Sequence, residues 1–354
     1  MHVCHVTRRY PPSDGDVARY VHALACRQAA AGHRVTVVTA DGGPGRAVFE
    51  VADGVSVRRF DGLGLHDGPS FVPGLGPALE GLADLVHVHD YHGLPFVQAA
   101  LAADVPVVAT PQYRGPSVTH LGRLAERAYR PFGGRALARA AAVVAVSHWE
   151  RRRLVAEFDV DATVVPTGVD ARFVATRRAD ALDRDRPYLL SVGPLVAGSG
   201  VDHAVRALTS LPEYDLLVAG TGPERAALRD LARSRGLAHR VTFLGDGCSL
   251  PGLYAGASAT LALSGVDPAG RTVGQSLATG TPAVVRAARG LRDWVDREDC
   301  VDVTVPTPRA VAAAVERAVA LDCDVPSRPV STWDDCAAGV TVVYERVVGR
   351  VEHP

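Results

Sequence analysis

Short valine-rich runs separated by helix-length stretches recur along the whole chain, and that alternation limits the possible fold more than any other feature. In the first half the runs are VCHV (3–6), RVTVVT (34–39), LVHVH (85–89), VPVVAT (105–110), AVVAVS (142–147) and ATVVP (162–166). In the second they are YLLSVG (188–193), YDLLVAG (214–220), RVTFLG (240–245), ATLALS (259–264) and TPAVV (281–285). Near-continuous apolar runs suit parallel strands buried on both faces. Their alternation with helical stretches predicts doubly wound α/β sheets. Between the two series lies RRADALDRDR (177–186), charged and without apolar periodicity, the expected linker between two Rossmann-like domains. A length of 354 residues accommodates both. Residues 17–31 predict a helix stopped by Gly32, and residues 332–348 a terminal helix that follows Pro326 and Pro329.

Composition removes several function classes. A formal net charge of −1 argues against a nucleic-acid binder driven by phosphate neutralisation. No apolar run approaches the roughly 18–20 residues of a membrane span. The opening MHVCHV enters a strand without a signal-peptide pattern, so the chain reads as cytoplasmic. The six cysteines are scattered, with no C-x-x-C and no zinc spacing, and read as reduced thiols. No His and Cys residues stand at zinc-ligand spacing, so no metal is expected. No G-x-G-x-x-G follows the first strand, which argues against a nicotinamide-dependent dehydrogenase. Lys, Ile and Asn are absent, a mark of a GC-rich, actinobacterial genome. A side-chain cation in this chain is therefore an arginine or a protonated histidine.

The segment SGVDPAGRTVGQSLATGTP (264–282) reads as a strand end, a glycine loop, a helix and a tight turn, with Asp267 and Gln275 eight positions apart. It resembles the donor-binding signature of the retaining GT-B glycosyltransferases of family 4, roughly S-x-x-E-G-F-G-x-x-x-x-E-A-x-A-x-G-x-P. Further segments match in order. YPPSDGDVARYVHALACRQAAAGHRVTVVT (10–39), ADLVHVHD (83–90), VPVVATPQY (105–113), VVAVSHWERRRL (143–154), VVPTGVD (164–170), LLSVGPLVAGSGVDHAVRAL (189–208), LLVAGTGPERAAL (216–228) and RVTFLGDGCSLPGLYAGA (240–257) each resemble a family motif. The resemblance implies a GT-B α/β fold: two Rossmann-like doubly wound domains facing a central cleft. Residues 1–175 would form the acceptor domain, with the terminal helix 332–350 packing back on it, and 186–330 the donor domain.

The same resemblance implies the site. Donor binding falls to Gly15, Gly193, Gly220, Gly222, Asp267, Ala269, Gly270, Arg271, Thr272 and Gln275, with loops 220–223 and 243–249 at the nucleobase. Amides near Gly270, Arg271 and Thr272 would face a phosphate at a helix N-terminus. Asp16, His92, Gln112 and Tyr113 would line the acceptor side, and Arg271, Asp267 and Gln112 would be catalytic. The substrate would be a nucleotide sugar, with no metal and no other cofactor; the acceptor would be a small polar molecule, and the oligomeric state stays open.

Besides the Gly-Phe pair, which is Pro268-Ala269 here, seven positions depart from the family pattern. Its two glutamates are Asp267 and Gln275, its second N-terminal glycine is Asp16, and its histidine after the P-V-V strand is Gln112. Its asparagine before G-V-D is Thr167. Its arginine and lysine in the G-R-L segment are Pro194 and Ser199. Losing two charge-assisted contacts would cost roughly 3–6 kcal/mol, about 10²–10⁴-fold in rate. An arginine is expected to take over, Arg271 first and Arg286 second, with Arg289, Arg8, Arg9 and Arg19 behind them. His89, His92, His120 and His148 are acid, base or acceptor-contact candidates against a structural reading. Asp16 either repels a diphosphate, bonds an acceptor or faces solvent. Arg151, Arg152 and Arg153 read as an exposed helix face. The leading expectation is an active transferase in antibiotic biosynthesis. The alternatives are a catalytically lapsed nucleotide- or partner-binding homologue and a phosphorolytic or other group-transfer enzyme.

Overall fold

The computed structural model describes residues 1–352 apart from 14, 44–48, 65–69, 116–119, 177–183, 246, 322 and 324. The chain divides into two compact units, Met1–Thr167 with Trp333–Pro354, and Gly168–Thr332. The expected linker 177–186 lies largely outside the described residues.

The strands of the first unit are β1 (His2–Thr7), β2 (Arg34–Thr39), β3 (Phe49–Ala52), β4 (Val55–Arg59), β5 (Leu63–Gly64), β6 (Ser70–Phe71), β7 (Leu85–His89), β8 (Val107–Thr110), β9 (Ala142–Ala145) and β10 (Thr163–Val164). Its main sheet runs β10-β9-β8-β7-β1-β2-β4-β3, parallel except for the antiparallel β3–β4 edge pair. A search for continuous apolar runs passes over that pair, because VSVRR alternates polar with apolar residues, the pattern of a strand buried on one face. The unit's helices are α1 (Asp16–Ala30), α2 (Leu75–Leu79), α3 (Leu94–Ala102), α4 (His120–Arg139) and α5 (His148–Phe158). The terminal helix (Trp333–Glu352) also belongs to it.

Successive strand residues point to opposite faces, and the two faces of this sheet differ in chemistry. Cys4, Val6, Val86 and Val88 pack with Phe96, Ala99, Ala136 and Leu137 of α3 and α4. His5, His87 and His89 point to the other side, where Gln28 of α1 and Tyr344 of the terminal helix meet them.

The second unit holds β11 (Tyr188–Val192), β12 (Asp215–Ala219), β13 (Val241–Gly245), β14 (Ala259–Ala262), β15 (Ala283–Arg286) and β16 (Cys300–Val303) in the order β13-β12-β11-β14-β15-β16, all parallel. Its helices are α6 (Ala171–Ala175), α7 (Val201–Ala207), α8 (Arg225–Ser234), α9 (Leu250–Gly256), α10 (Arg271–Ala278) and α11 (Pro308–Val319), which leaves the terminal helix as α12. One sheet face, through Leu189, Leu216, Leu261 and Val284, packs on Val205, Leu228, Val311 and Val315. The other meets α9 and α10 through Leu253, Tyr254, Val273 and Leu277. Among the described residues no helix is long and apolar enough to cross a membrane.

In each sheet the strand order reverses once, between β1 and β7 in the first unit and between β11 and β14 in the second. Open α/β sheets bind ligands at such switch points, outside the carboxyl ends of the strands. The two loop clusters there are the places to look for chemistry.

Candidate functional site

At the switch point of the second unit, the loop after β14 turns through Asp267 into α10. Asp267 Oδ1 accepts from the Ala269 and Gly270 amides at 2.9 and 2.8 Å. The expectation that Gly270's N–H faces a phosphate is therefore corrected: a carboxylate two to three residues upstream already holds it. Helix α10 begins at Arg271 with Gly270 as its N-cap and no side-chain cap, so the first helical N–H groups are those of Arg271 and Thr272. The loop is braced from behind by the 3₁₀ turn Arg289–Trp294. Gly290 N donates to the Asp267 carbonyl at 3.2 Å, and Trp294 Nε1 donates to the Ala269 carbonyl at 3.2 Å. Neither brace was expected from sequence.

Gln275, one turn into α10, accepts from the Tyr254 hydroxyl at 3.1 Å through Oε1. Burial pushes the Tyr254 pKa up, so this hydroxyl stays a donor. Gln275 keeps its amide N–H groups for another partner. Gly193, Gly220 and Gly222 do gather at the strand ends, yet their lack of side chains serves the backbone. A Cβ at Gly220 would collide with the Gly193 carbonyl, and Leu195 N bonds to the Thr221 carbonyl at 2.8 Å. Of the loop 243–249, residue 246 lies outside the described residues.

Burial raises the Tyr254 pKa, and Arg271 lies close enough to oppose part of that rise. Arg286 ends β15, half-buried, with Nε enclosed and bonded to nothing. Arg289 opens the 3₁₀ turn at φ +48°.

In the first unit, the switch-point loops carry Arg8, Asp90, His92 and Gln112. Asp90 directly follows β7, Gln112 lies two residues beyond β8, and both take left-handed backbone angles, φ +64° and +49°. Such strain in non-glycine residues concentrates at functional sites. Arg8 Nε lies 3.2 Å from buried Asp90 Oδ2. Gln112 is buried with Oε1 unpartnered. His92 stacks on Tyr113, its ring nitrogen 3.4 Å from the Arg114 amide, and burial lowers its pKa. Tyr113 as an acceptor contact is corrected: the ring is in the core, and its hydroxyl lies 2.7 Å from Glu157 Oε2 and 3.2 Å from Glu126 Oε1. Asp16, the first residue of α1, is exposed and pairs with Arg19 at 3.9 Å. Gly15 is the N-cap of α1. His120 and His148 begin α4 and α5 on the surface. Arg151 and Arg152 are likewise exposed.

Sequence reasoning missed Glu150. It is fully buried, with Oε1 accepting from Tyr113 N at 2.6 Å and Oε2 from Val146 N at 2.7 Å. It thereby ties the loop after β8, which carries Gln112, to the end of β9. The signal was present: Ser147-x-x-Glu150 has capping-box spacing, and Ser147 does cap α5 by accepting from Glu150 N. Burial raises the Glu150 pKa to about 7, against the two amides that lower it. A carboxyl whose folded pKa exceeds its unfolded value stabilises the fold at low pH, and that contribution is lost as pH rises from about 4.5 through about 7. The expected loss between pH 5 and 8 is of the order of 3 kcal/mol. Denaturant unfolding of wild type and Glu150→Gln at both pH values checks this. The wild-type minus variant stability should fall with pH, and a flat difference would show that Glu150 does not titrate there.

The surroundings of His89 agree with its structural reading: the fold brings it together with His5 and His87, all buried. His5 bonds His89 at 3.0 Å and Gln28 at 2.7 Å, while His87 bonds Thr110 at 2.7 Å and the Tyr344 hydroxyl. Burial lowers all three pKa values. Both nitrogens of His5 and of His87 are committed, so the cluster acts as a neutral hydrogen-bond network fastening α12 and α1 to the sheet.

The glycosyltransferase family 4 model matches residues 17–173, and the glycosyl transferases group 1 model matches residues 174–328. The chain belongs to the family 4 glycosyltransferases of the GT-B fold. An uncharacterized glycosyltransferase of Methanocaldococcus jannaschii is 32% identical over 147 residues, 40% of this chain and 38% of that protein. A GDP-mannose-dependent phosphatidylinositol dimannoside mannosyltransferase of Mycobacterium tuberculosis is 31% identical over 61% of this chain and 62% of its own length. The chain thus matches less than two thirds of either relative. The alpha-D-kanosaminyltransferase of Streptomyces kanamyceticus is 28% identical over 42% of this chain and 40% of that protein. Among solved structures, sucrose-phosphate synthase of Thermosynechococcus elongatus superposes with a TM-score of 0.75 at 21% identity, covering 99% of this family member and 97% of that chain. Anabaena HepE in complex with UDP-glucose gives 0.75 at 17% identity, covering both chains completely.

Proposed function

We propose that this protein transfers a sugar from a nucleotide-sugar donor to a small polar acceptor with retention of anomeric configuration. The observation that carries the reading is the loop of Asp267–Gly270. It is clamped from both sides and delivers the start of α10 to the switch point of the second sheet. Backbone N–H groups and the positive end of a helix in that position suit the phosphates of the leaving group. Arg271 adds charge at the same place, and the Gln275 amide group suits a ribose hydroxyl. In the first unit, Gln112 and His92 supply the acceptor contacts. Gln112 is held in its strained conformation by the backbone that Glu150 fixes, which suits a residue whose amide must meet one particular hydroxyl or amine. Family membership supports the reaction class, and the UDP-glucose bound by Anabaena HepE supports a nucleotide sugar as donor. The resemblance to a kanosaminyltransferase favours an aminoglycoside-like acceptor in secondary metabolism.

The test is a panel of UDP-, GDP- and dTDP-sugars read by thermal unfolding, followed by turnover with aminocyclitol acceptors and NMR of the product anomer. A cognate donor at about 100 times its dissociation constant adds about 2.7 kcal/mol of stability. Binding with no turnover would favour the lapsed, nucleotide-binding homologue, for which the absence of cations at Pro194 and Ser199 speaks. The absence of both binding and turnover would overturn the proposal.

A further inference from the structure

Arg286 stands out among the polar side chains of the second unit. It is the last residue of β15, beside β14 and one strand removed from β11, so it stands at the carboxyl ends of the strands that make the switch point. Its Nε is enclosed by protein and has no hydrogen-bond partner. Among the described residues nothing bonds to or pairs with any of its guanidinium nitrogens. A charged group with an enclosed, unsatisfied donor is costly to keep, and a folded protein holds one where a ligand completes it.

Its surroundings say which ligand. The guanidinium lies against Gly265, with Nη1 2.7 Å from where a Cβ at that residue would stand. Gly265 N donates to the Gly198 carbonyl at 2.8 Å, which draws the loop after β11 alongside. Ser199 is the next residue of that loop. Two residues beyond Gly265 begins the clamped turn at Asp267 that leads into α10. The guanidinium thus lies against Gly265, in the loop that follows β14. No carboxylate among the described residues neutralises it.

We propose that Arg286 is the side chain that binds the diphosphate of the donor, offering its fork of N–H groups to the phosphate oxygens and holding positive charge against them as the sugar–phosphate bond breaks. The inference rests on the nucleotide-sugar reading of the same site. It assigns to Arg286, ahead of Arg271, the role left open by the chain's lack of lysine.

Calorimetric titration of the full chain tests it, with UDP, GDP and dTDP and the matching nucleosides as probes, on wild type, Arg286→Ala, Arg286→Lys and Arg271→Ala. Whichever diphosphate binds wild type should bind Arg286→Ala at least about tenfold more weakly, about 1.4 kcal/mol. Its nucleoside should bind both equally, and Arg286→Lys should recover part of the loss. The thermal midpoint without ligand should fall little in Arg286→Ala, because no side-chain hydrogen bond or ion pair among the described residues is removed. Equal diphosphate affinity in wild type and Arg286→Ala would overturn the assignment while the nucleotide reading stands, as would a loss confined to Arg271→Ala. A fall in nucleoside affinity equal to that of the diphosphate would also overturn it, by showing that the site had collapsed. Failure of all three diphosphates to bind wild type would overturn the nucleotide reading and this inference with it.

Discussion

Gly290→Ala is expected to weaken nucleotide binding by the second unit. The added methyl would be driven into the Pro268 carbonyl, with the Ala269 amide 2.6 Å away. These obstacles are backbone atoms of the donor loop, and no rotamer change relieves them. Either the 3₁₀ turn or the loop must move, and each movement breaks the bonds by which Gly290 N and Trp294 Nε1 hold Asp267 and Ala269. Overpacking of this kind costs roughly 1–3 kcal/mol, so nucleoside diphosphate affinity should drop by about 10- to 100-fold. Gly349→Ala is the control. That residue lies in α12 with no atom within 4 Å of an added Cβ, and alanine there should hold or slightly raise stability. Near-wild-type nucleotide affinity in Gly290→Ala would show that the loop is not the donor site.

What was legible beforehand and what was not follows a physical division. The valine-rich runs gave both parallel sheets, because burial on two faces leaves a continuous apolar signature that survives any particular register. The same apolar criterion passed over β3 and β4, whose residues face partly outward. For the site, the loop-to-helix turn at 267–271 was readable from Asp, Pro and Gly in sequence. The identity of the unpartnered cation was not. Arg271 sits at the helix start and draws attention by position, whereas Arg286 is singled out by Gly265 and by the lack of a paired carboxylate among the described residues, facts of three-dimensional neighbourhood. Tyr113 and His89 look like site residues by motif, and only burial shows that they serve the core. Glu150 is the opposite case: a capping spacing announced it, yet its second job, holding the backbone beside Gln112, depends on two strands separated by more than thirty residues.

The largest chemical effect is expected at Asp267, where two substitutions separate support from charge. Asp267→Ala removes the acceptor of two amides in a half-buried loop. Hydrogen bonds to a charged group are each worth about 1.5–3 kcal/mol. If both contribute to loop shape, kcat/KM should fall by about 10²–10⁴-fold, together with nucleotide affinity. Asp267→Asn retains an oxygen that can accept from both amides, so the loop should keep its form, with diphosphate affinity within about threefold of wild type. The asparagine variant removes only the negative charge, and any fall in kcat at unchanged donor affinity then reads as a loss of transition-state stabilisation. Steady-state kinetics and diphosphate titration on the two variants decide the matter. If alanine is tolerated as well as asparagine, the amides of Ala269 and Gly270 find other acceptors and the carboxylate is not what shapes the site. If asparagine is as damaging as alanine in diphosphate binding, the charge itself is part of the clamp, because the neutral oxygen then holds the amides too weakly to keep α10 aimed at the phosphates.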